Sequence, residues 1–173
     1  MKEAKEEAFG FFVEPLGQHD RAAFSCGNED LDRYFKVQAG QDRRKNVAVP
    51  FVLVEKTTKT IAGFYSLSAT TVILEQLPPE LARRLPKYPY IPATLIGRFA
   101  IGTRYQGLWL GEFLLMDALR RALENSKQVA SMAVIVDAKN EAARKFYAKY
   151  GFQPFSDEPY RLFLPMKTIA GLF

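Results

Sequence analysis

The chain has 173 residues, of which 48% are hydrophobic and 25% charged, and its formal net charge is +5 at neutral pH. This length and apolar content predict one domain, residues 1–173, with a core of its own. The positive balance suits anionic ligands such as phosphates, RNA or an acidic protein segment. Cys26 is the single cysteine, which excludes an internal disulfide and a cysteine-based metal cluster.

Two further features of the sequence indicate where in the cell the protein is located. No run of 18 apolar residues is present, and the first ten residues, MKEAKEEAFG, are charged rather than signal-like. Together with a lone cysteine, which suits a reducing environment, they predict a cytoplasmic protein without a membrane span and without a metal site.

The N-terminal part of the chain is predicted to form a strand or packing arm and then a helix. The apolar residues from Phe9 to Leu16 indicate the arm, which ends at Gly17. Asn28 is a suitable N-cap for a helix over Leu31–Lys45, and the acidic residues after it favour a helix N-terminus.

The end of this helix is strongly basic. Two interpretations stay open: cations suit a helix C-terminus and a solvated face, or they form a patch for RNA or an acidic partner. The cations concerned are Arg43, Arg44 and Lys45.

A hairpin is predicted next. Val47–Val54 and Ile61–Leu74 are rich in β-branched and aromatic residues, and Lys56–Lys59 makes the turn between them. Pro50 places the start of its strand at an edge or an irregular position.

The segment Gln76–Pro92 contains five prolines and a short helix-capable piece, Glu80–Leu85. A loop of this length inside a compact domain is usually functional, so it is either a wall of the acceptor site or a rigid surface connection. Three cations lie in it: Arg83, Arg84 and Lys87.

The centre of the chain is predicted to be a strand, a tight turn and a long helix. Leu95–Ile101 is strand-like, and Gly102–Gly107 is a basic turn punctuated by glycine. The helix runs to Glu124, and its polar positions recur every three or four residues, at Asp117, Arg120, Arg121 and Glu124.

The C-terminal part repeats the alternation. Val129–Val136 is a nearly continuous apolar run, typical of a buried strand. A helix over Glu141–Tyr150 is predicted to end at Gly151, and Tyr160–Met166 is predicted to be a last strand. The whole pattern indicates an α/β or α+β fold with a mixed sheet.

The strand–turn–helix segment has the physical properties of a phosphate site. The first N–H groups of a helix lack internal acceptors, glycines permit close approach, and Arg104 adds positive charge. Gly102 and Gly107 have the spacing of a Walker A loop, but Leu108 and Trp109 follow where that motif needs Lys and Ser or Thr. The dinucleotide pattern G-x-G-x-x-G is also absent. A turn without any ligand is the alternative.

The spelling Arg104-x-x-Gly107-x-Trp109, followed by Leu110-Gly111, resembles the acetyl-CoA signature of the GNAT N-acetyltransferase superfamily, Arg/Gln-x-x-Gly-x-Gly/Ala. Trp109 stands where that signature has Gly or Ala. Its side chain either crowds the pyrophosphate or points away and packs.

A second segment strengthens the resemblance. The superfamily pattern N-x-x-A-…-F/L-Y-x-x-x-G-F is matched in the right order after the first motif. The matching residues are Asn140, Ala143, Phe146, Tyr147, Gly151 and Phe152.

The resemblance implies the GNAT fold, a central mixed, mostly antiparallel twisted sheet flanked by helices, with two splayed strands that hold acetyl-CoA. It implies that the backbone of β-strand residues Phe99, Ala100 and Ile101 pairs with the pantetheine arm, and that the Gln106–Gly111 amides bind the pyrophosphate. Asn140 would bond the pantetheine, and Tyr147 would lie near the thioester sulfur. The implied cofactor set is Phe99, Ala100, Ile101, Arg104, Gln106, Gly107, Leu108, Trp109, Leu110, Gly111, Glu112, Asn140, Phe146 and Tyr147.

The chemistry needs few groups. A neutral amine attacks the thioester, backbone N–H groups hold the oxyanion, and a tyrosine can protonate the leaving thiolate. Tyr147 is the candidate acid, with Tyr150 as its substitute and a packed helix tyrosine as the structural alternative. Glu112 and Asp137 are candidate bases only by proximity in sequence.

The N-terminal half resembles a narrower group, the GNAT toxins of bacterial toxin–antitoxin pairs. The similar stretches include Phe24–Leu31, Tyr34, Gln38-Ala39, Gln41-Asp42, Arg44, Phe51-Val52, Gly63, Tyr65, Leu67 and Ile91-Pro92. This resemblance implies acetylation of the α-amino group of aminoacyl-tRNA, a ribbon–helix–helix antitoxin partner and a homodimer. Charge suggests these tRNA contacts: Arg43, Arg44, Lys45, Arg83, Arg84 and Lys87.

Two alternatives remain from the sequence. One is a GNAT enzyme that acts on a small amine or a protein amine. The other is a catalytically weak GNAT-fold binding protein in which Trp109 blocks the cofactor groove.

Overall fold

Seven strands form one sheet in the computed structural model, which describes residues 10–173. The strands are β1 (Phe11–Pro15), β2 (Val49–Glu55), β3 (Ile61–Ile73), β4 (Tyr90–Ile101), β5 (Ala133–Asp137), β6 (Gln153–Phe155) and β7 (Glu158–Pro165). Their order in the sheet is β1-β2-β3-β4-β5-β7-β6. β4 and β5 pair in parallel, whereas β1–β2, β2–β3, β5–β7 and β6–β7 pair antiparallel. The predicted mixed, mostly antiparallel sheet is therefore confirmed.

Helices accompany the sheet, in agreement with the predicted fold class. One continuous helical stretch covers residues 29–44 and includes a π-helical segment over Tyr34–Gln38. Short 3₁₀ turns cover Leu74–Gln76 and Thr103–Tyr105. The α-helices are α1 (Glu29–Arg33), α2 (Ala39–Arg44), α3 (Pro79–Ala82), α4 (Leu110–Ser126), α5 (Glu141–Lys149) and α6 (Met166–Ala170).

The chain divides into two compact units, and the single domain over residues 1–173 stays a prediction. The first unit comprises Met1–Ser68 and Gly97–Ala118, and the second comprises Ala69–Ile96 and Leu119–Phe173. Both β3 and β4 thus contribute residues to each unit.

Aromatic side chains form the core of the first unit. Phe35 from the π-helical segment stacks on Phe64 of β3 with ring centroids 4.3 Å apart, and Phe24 meets both rings edge-on. Phe35 and Phe64 are fully buried. Burial of large aromatic rings gives this unit much of its hydrophobic stabilisation.

The core of the second unit lies around β5. Ala133, Val134, Ile135 and Val136 are all buried, as predicted for a strand covered on both faces. The β4–β5 ladder extends from Thr94↔Val134 to Ile96↔Val136, and β7 pairs with β5 along its whole length.

Several local predictions are confirmed. The Asn28 side chain accepts a hydrogen bond from the Leu31 N–H at 3.1 Å, as an N-cap does. The hairpin of β2 and β3 has the expected turn, and Gly151 ends α5 with φ +97°. Phe9 lies outside the described residues.

Other boundaries were wrong. The strand predicted at Val129 begins at Ala133, because α4 extends to Ser126 and Val129 lies in the exposed turn that follows. β4 begins at Tyr90, inside the segment predicted as a proline-rich loop, and the Pro92 carbonyl accepts from the Met132 N–H at 2.8 Å. A proline near the start of a strand still offers its carbonyl to a neighbour.

Further elements differ or were not predicted. The first helix begins at Glu29, and the helical piece in the proline-rich segment is shorter, Pro79–Ala82, with Pro79 at its first position. β6 and α6 escaped the sequence reasoning because three-residue and five-residue elements carry too little periodicity. Pro50 is the second residue of the inner strand β2, one position beyond the β1–β2 register.

Candidate active site

The turn after β4 is held by backbone bonds to two neighbouring segments of the first unit. The Gly102 N–H donates to the Ala62 carbonyl at 2.7 Å, and the Thr103 N–H donates to the Ser25 carbonyl at 2.8 Å. An added Cβ at Gly102 would lie 3.3 Å from the Ala62 oxygen, so a larger residue would force this carbonyl to move by a few tenths of an ångström. The start of the predicted phosphate loop is therefore fixed by β3 and by the segment before α1.

Two side chains brace the same turn. The buried Tyr105 hydroxyl donates to Glu55 Oε2 at 2.8 Å. Burial and this bond raise the pKa of Tyr105, while the bond from the Tyr105 hydroxyl lowers the pKa of Glu55. Gln106 Nε2 donates to the Ile101 carbonyl at 3.0 Å and to the Cys26 carbonyl at 3.2 Å. The amide nitrogen of Gln106 is thus used to hold the loop in shape. We therefore expect the backbone N–H groups of the loop, rather than this side chain, to bind a ligand.

The remainder of the loop is open to solvent. Gly107 has φ +80°, and an added Cβ there would meet no atom within 4 Å. The Phe113 N–H donates to the Trp109 carbonyl at 3.3 Å, so the N–H groups of Leu110, Gly111 and Glu112 precede the first helical bond of α4. A braced, open loop at the N-terminus of a 17-residue helix fits a diphosphate.

Trp109, which stands where the signature has Gly or Ala, has a backbone conformation that favours glycine. Its φ is +65°, in the left-handed region, and its residue surface is 73% exposed. Packing of the indole into the core, one of the two expected arrangements, does not occur. Leu108 is also largely exposed. Whether the indole crowds a pyrophosphate stays a prediction.

The end of β4 lies unusually close to β3. An added Cβ at Gly63 would lie 2.7 Å from the Ala100 carbonyl oxygen and 2.9 Å from Ile101 Cδ1. Glycine at position 63 therefore sets the position of Ala100 and Ile101, the strand end that the resemblance assigns to the pantetheine arm. Phe99 lies in the same part of β4 and is half-buried.

Arg104 borders a cavity of about 500 Å³ in the first unit. Lys59, Thr60 and Ser25 also line this cavity. Arg104 is exposed, so its guanidinium adds positive charge at the side of the phosphate loop.

Tyr147 lies at the end of α5 in the second unit, where the helix closes in a Schellman motif. The Phe152 N–H donates to the Tyr147 carbonyl at 3.3 Å, and the Gly151 N–H donates to the Ala148 carbonyl at 3.0 Å. Phe152 also packs its ring edge-on against Tyr147, with centroids 5.4 Å apart. The pattern Tyr-x-x-x-Gly-Phe is therefore a structural unit in which the helix cap fixes the tyrosine.

The surroundings of Tyr147 favour its protonated form. The residue is 6% exposed and also meets Phe146 edge-on at 5.2 Å. Burial raises the pKa of the Tyr147 hydroxyl above its ordinary value. Tyr150 is half-buried and contacts Phe146 at 5.3 Å. Of the two tyrosines, Tyr147 has the environment of a group that keeps its proton.

Asn140 caps α5. Its Oδ1 accepts from the Ala143 N–H at 2.8 Å, so one of its polar atoms serves the helix and the amide nitrogen would have to serve a ligand. In the next turn, the bond from Arg144 lowers the pKa of Glu141 to about 2. The predicted role of Asn140 toward pantetheine stays a prediction.

The two candidate bases differ in their surroundings. Asp137 is exposed at the end of β5 and pairs with Arg161 at 3.4 Å. Glu112 is half-buried in the first turn of α4, where a carboxylate favours the helix N-terminus. These contacts do not favour either carboxylate as the general base.

The predicted tRNA cations belong to two separate stretches, and all are exposed. Arg43, Arg44 and Lys45 are at the C-terminal end of α2, in the first unit. Arg83, Arg84 and Lys87 follow α3, in the second unit.

Sequence reasoning missed a buried pair in the first unit. Asp117 was grouped with the polar positions of its helix, yet it is 3% exposed and accepts from the fully buried Tyr65 hydroxyl at 2.6 Å. The available signal was Leu114, one helical turn before Asp117, which places the acid next to the apolar face of the helix. The pair ties α4 to β3 and therefore helps to place the phosphate loop.

A second missed cluster lies beside the strand end. The exposed Arg98 guanidinium sits 4.5 Å over the ring of the buried Tyr34, whose hydroxyl donates to Asp42 at 3.1 Å. The Arg98 N–H donates to Ser66 Oγ at 3.1 Å. Burial and the bond to Asp42 raise the pKa of Tyr34. Only the fold brings these distant residues together.

Residues 10–173 contain neither a metal-binding cluster nor a membrane-spanning helix. Within this part of the chain, no group of three or more His, Cys, Asp or Glu side chains could hold a metal ion. Nor is any helix in it long and apolar enough to cross a membrane.

Comparison with known proteins places this geometry among acetyltransferases. A profile of the family described as "Acetyltransferase (GNAT) domain" matches residues 92–169. The chain is 33% identical over 169 residues to "Probable toxin TacT" of Sinorhizobium fredii, covering 92% of this chain and 93% of that protein. It is 29% identical over 153 residues to "tRNA-acetylating toxin" of Mycobacterium tuberculosis, covering 88% and 90%.

Solved structures agree over nearly the whole chain. A tyrosine-to-phenylalanine mutant of KacT superposes with a TM-score of 0.89 at 28% identity, covering 95% of this chain and 99% of that one. AtaT complexed with acetyl-methionyl-tRNAfMet gives 0.87 at 28% identity, covering 94% and 99%. A mutant AtaT bound to the C-terminus of the antitoxin AtaR and to acetyl-CoA gives 0.81 at 25% identity, covering 95% and 98%.

Proposed function

This chain belongs to the GNAT acetyltransferase family, and we propose that it transfers the acetyl group of acetyl-CoA to the α-amino group of an aminoacyl-tRNA. One observation carries the choice of acceptor. The general acetyltransferase profile begins at residue 92, whereas similarity to the toxins extends over 92% of the chain and includes its N-terminal half. A general acetyltransferase would share only the cofactor-binding part.

The proposed donor site consists of the end of β4 and the loop that follows it. The strand end Phe99–Ile101 would hold the pantetheine arm, and the amides of Gln106–Gly111 would hold the diphosphate, beside Arg104. Acetyl-CoA, when bound, supplies an activated acyl group on a thiolate leaving group. Because Tyr105 and Gln106 already brace the loop, little ordering of the backbone accompanies binding.

Tyr147 is the proposed proton donor. The acceptor amine attacks as the neutral base, and Tyr147 donates its hydroxyl proton to the departing sulfur. Burial raises the pKa of Tyr147, so this donor is protonated at every physiological pH. Backbone N–H groups of β4 would stabilise the oxyanion. These steps need no covalent enzyme intermediate.

We also propose the partners that this function implies. Charged tRNA is present in the cytoplasm, which is therefore the proposed location. A mutant of the toxin AtaT is bound to the C-terminus of the antitoxin AtaR, and we expect an antitoxin partner here, of the ribbon–helix–helix type that the toxin resemblance implies. The chain is expected to be a homodimer.

The test is transfer of radiolabelled acetyl from acetyl-CoA to a pool of charged tRNA. Wild-type protein should give labelled, ribonuclease-sensitive product. Tyr147→Phe should lower kcat by at least about tenfold, because it removes a general acid. Tyr150→Phe, in the same helix end, is the matched control and should keep at least half of the wild-type kcat.

Each other outcome has a distinct meaning. Label that appears on polyamines or peptides but not on tRNA would replace the proposed acceptor with a small or protein amine. Absence of acetyl-CoA binding in calorimetry would favour a binding protein without catalysis. Equal rates for wild type and Tyr147→Phe would remove the proton-donor role.

A further inference from the structure

The segment after α3 combines exposed cations with exposed aromatic rings. We name it the tyrosine loop, defined as Arg83, Arg84, Lys87, Tyr88 and Tyr90. Tyr88 is 66% and Tyr90 64% exposed, and the three cations are exposed as well. Large aromatic side chains are usually buried, so two neighbouring exposed tyrosines need a separate reason.

The tyrosine loop is held in place by the core of the second unit. Leu81 and Leu85 pack against the core cluster, in which Leu77 is 2% exposed. The Leu74 N–H donates to the Pro89 carbonyl at 3.1 Å, between the two tyrosines. Pro89 also restricts the backbone of Tyr88. The loop therefore presents its rings and charges with little conformational freedom.

The charge pattern identifies the kind of partner. The stretch of residues 81–92 contains three cations and no acidic residue, and Glu80 is the nearest carboxylate in sequence. Positive charge attracts a polyanion, while exposed tyrosine rings offer flat faces for stacking. Unpaired RNA has both phosphates and accessible base faces. Duplex RNA and inorganic polyanions offer negative charge but no accessible base faces.

We propose that the tyrosine loop binds unpaired nucleotides of the RNA acceptor, with Tyr88 and Tyr90 stacked on bases and the three cations against phosphates. This inference rests on the proposed function for the identity of the RNA. It assigns to the exposed tyrosines a part in acceptor binding that is independent of the chemistry at Tyr147.

Binding of a fluorescein-labelled single-stranded octamer of cytidine and adenosine, followed by fluorescence anisotropy, tests the stacking. Tyr88→Ala and Tyr90→Ala should each raise Kd by about fivefold or more, the loss expected for one stacked base. Phenylalanine at either position should restore binding to within about twofold, because the ring is what stacks. Tyr160→Ala, at another exposed tyrosine, is the control and should leave Kd unchanged.

The salt dependence of octamer binding tests whether the three cations of the tyrosine loop contact phosphates. Replacement of Arg83, Arg84 and Lys87 by glutamine should make the negative slope of log K against log salt shallower by about 2, at ~0.7 per phosphate contact on a single strand. Lys167→Gln, at an exposed lysine of α6, should leave the slope unchanged.

Three results would overturn the inference. They are unchanged Kd in the Tyr88→Ala/Tyr90→Ala double variant, failure of phenylalanine to restore binding, and equal binding of polyphosphate of matched charge. A change of oligomeric mass in the double variant, seen by light scattering, would assign the tyrosines to an interface between copies instead.

The two proposals fail separately. The octamer carries no amino acid, so its binding does not depend on acetyl transfer. If wild-type protein acetylated only small amines yet bound the octamer through the tyrosines, the acceptor proposal would fall and the surface would stand. In charged-tRNA assays, the double variant should raise KM for tRNA and leave KM for acetyl-CoA unchanged.

Discussion

Tyr147 shows how burial can prepare a single residue for one chemical role. A tyrosine in water loses its proton near pH 10, and burial among Phe146 and Phe152 moves the pKa higher because the phenolate would be poorly solvated. A proton donor benefits from this shift, whereas a base would be impaired by it. The environment therefore favours the acid role over a base role.

The pH dependence of kcat/KM follows from the raised pKa of Tyr147. For wild type, kcat/KM should rise as the acceptor amine loses its proton and then stay flat to about pH 10, because Tyr147 remains protonated there. An acceptor analogue with an amide-linked amino acid avoids alkaline hydrolysis of the ester during the measurement. A fall near pH 9 that disappears in Tyr147→Phe would contradict the shift.

The raised pKa of Tyr147 also makes the free energy of unfolding depend on pH, in a direction that can be predicted. Above about pH 10 the unfolded chain ionises at this tyrosine while the folded chain does not, so the free energy of unfolding should decrease with rising pH. Below that pH the contribution is fully present. Chemical denaturation of wild type and Tyr147→Phe across this range measures the difference.

Trp109 has a left-handed backbone conformation, which glycine adopts more easily than any other residue. A non-glycine residue in the left-handed region costs about 1–2 kcal/mol, against about 0.5–1 kcal/mol that glycine loses in conformational entropy on folding. Trp109→Gly should therefore raise the free energy of unfolding slightly. Since the indole is exposed, Kd for acetyl-CoA should change by less than about threefold, well under the tenfold that 1.4 kcal/mol gives.

Leu108→Ala, at the exposed neighbouring position, is the control for both quantities and should leave them unchanged. Calorimetric titration with acetyl-CoA gives the affinity. A gain of tenfold or more in Trp109→Gly would mean that the indole blocks the groove, as the binding-protein alternative requires.

At the scale of elements, the end of α5 joins stability to catalysis. The Schellman bonds of Gly151 and Phe152 close the helix, and the Phe152 ring rests on Tyr147. The helix therefore could not end differently without moving the candidate acid. Similarly, the Gly63 approach to Ala100 and the Tyr65–Asp117 bond place the strand end and α4.

Gly151→Ala tests the helix end. At φ +97° an alanine should cost about 1 kcal/mol or more, which lowers the midpoint of thermal unfolding by about 2–4 °C for a protein of this size. The rate should fall through kcat, while KM for acetyl-CoA stays near the wild-type value.

Gly171→Ala is the matched control, because Gly171 also ends a helix but has φ −75°. It should not lower the unfolding midpoint as far as Gly151→Ala does, and it should leave kcat unchanged. Equal kcat in Gly151→Ala and wild type would show that the helix end does not position Tyr147.

At the scale of the whole molecule, the formal net charge is +5, and six of the 24 cations lie where acceptor contacts are expected. The C-terminal end of α2 and the tyrosine loop each expose three neighbouring cations. Such patches accelerate and strengthen association with RNA, and they account for salt dependence rather than for selectivity.

The sequence by itself determined the fold class, the hairpin, the Asn28 and Gly151 caps and the order of the two motifs. These features depend on local periodicity, capping chemistry and glycine conformation, which residues close in sequence specify. The positions of β6 and α6 and the start of β5 were not determined, because short elements depend on tertiary partners.

Only the tertiary structure decided how the site is supported. Gln106 meets the Cys26 carbonyl across 80 positions of chain, and Tyr65 meets Asp117 across 52. No local pattern encodes such pairs, since each bond forms only after the sheet has placed both partners. The same holds for Tyr147: its identity can be read in the sequence, but its raised pKa results from burial, which folding alone provides.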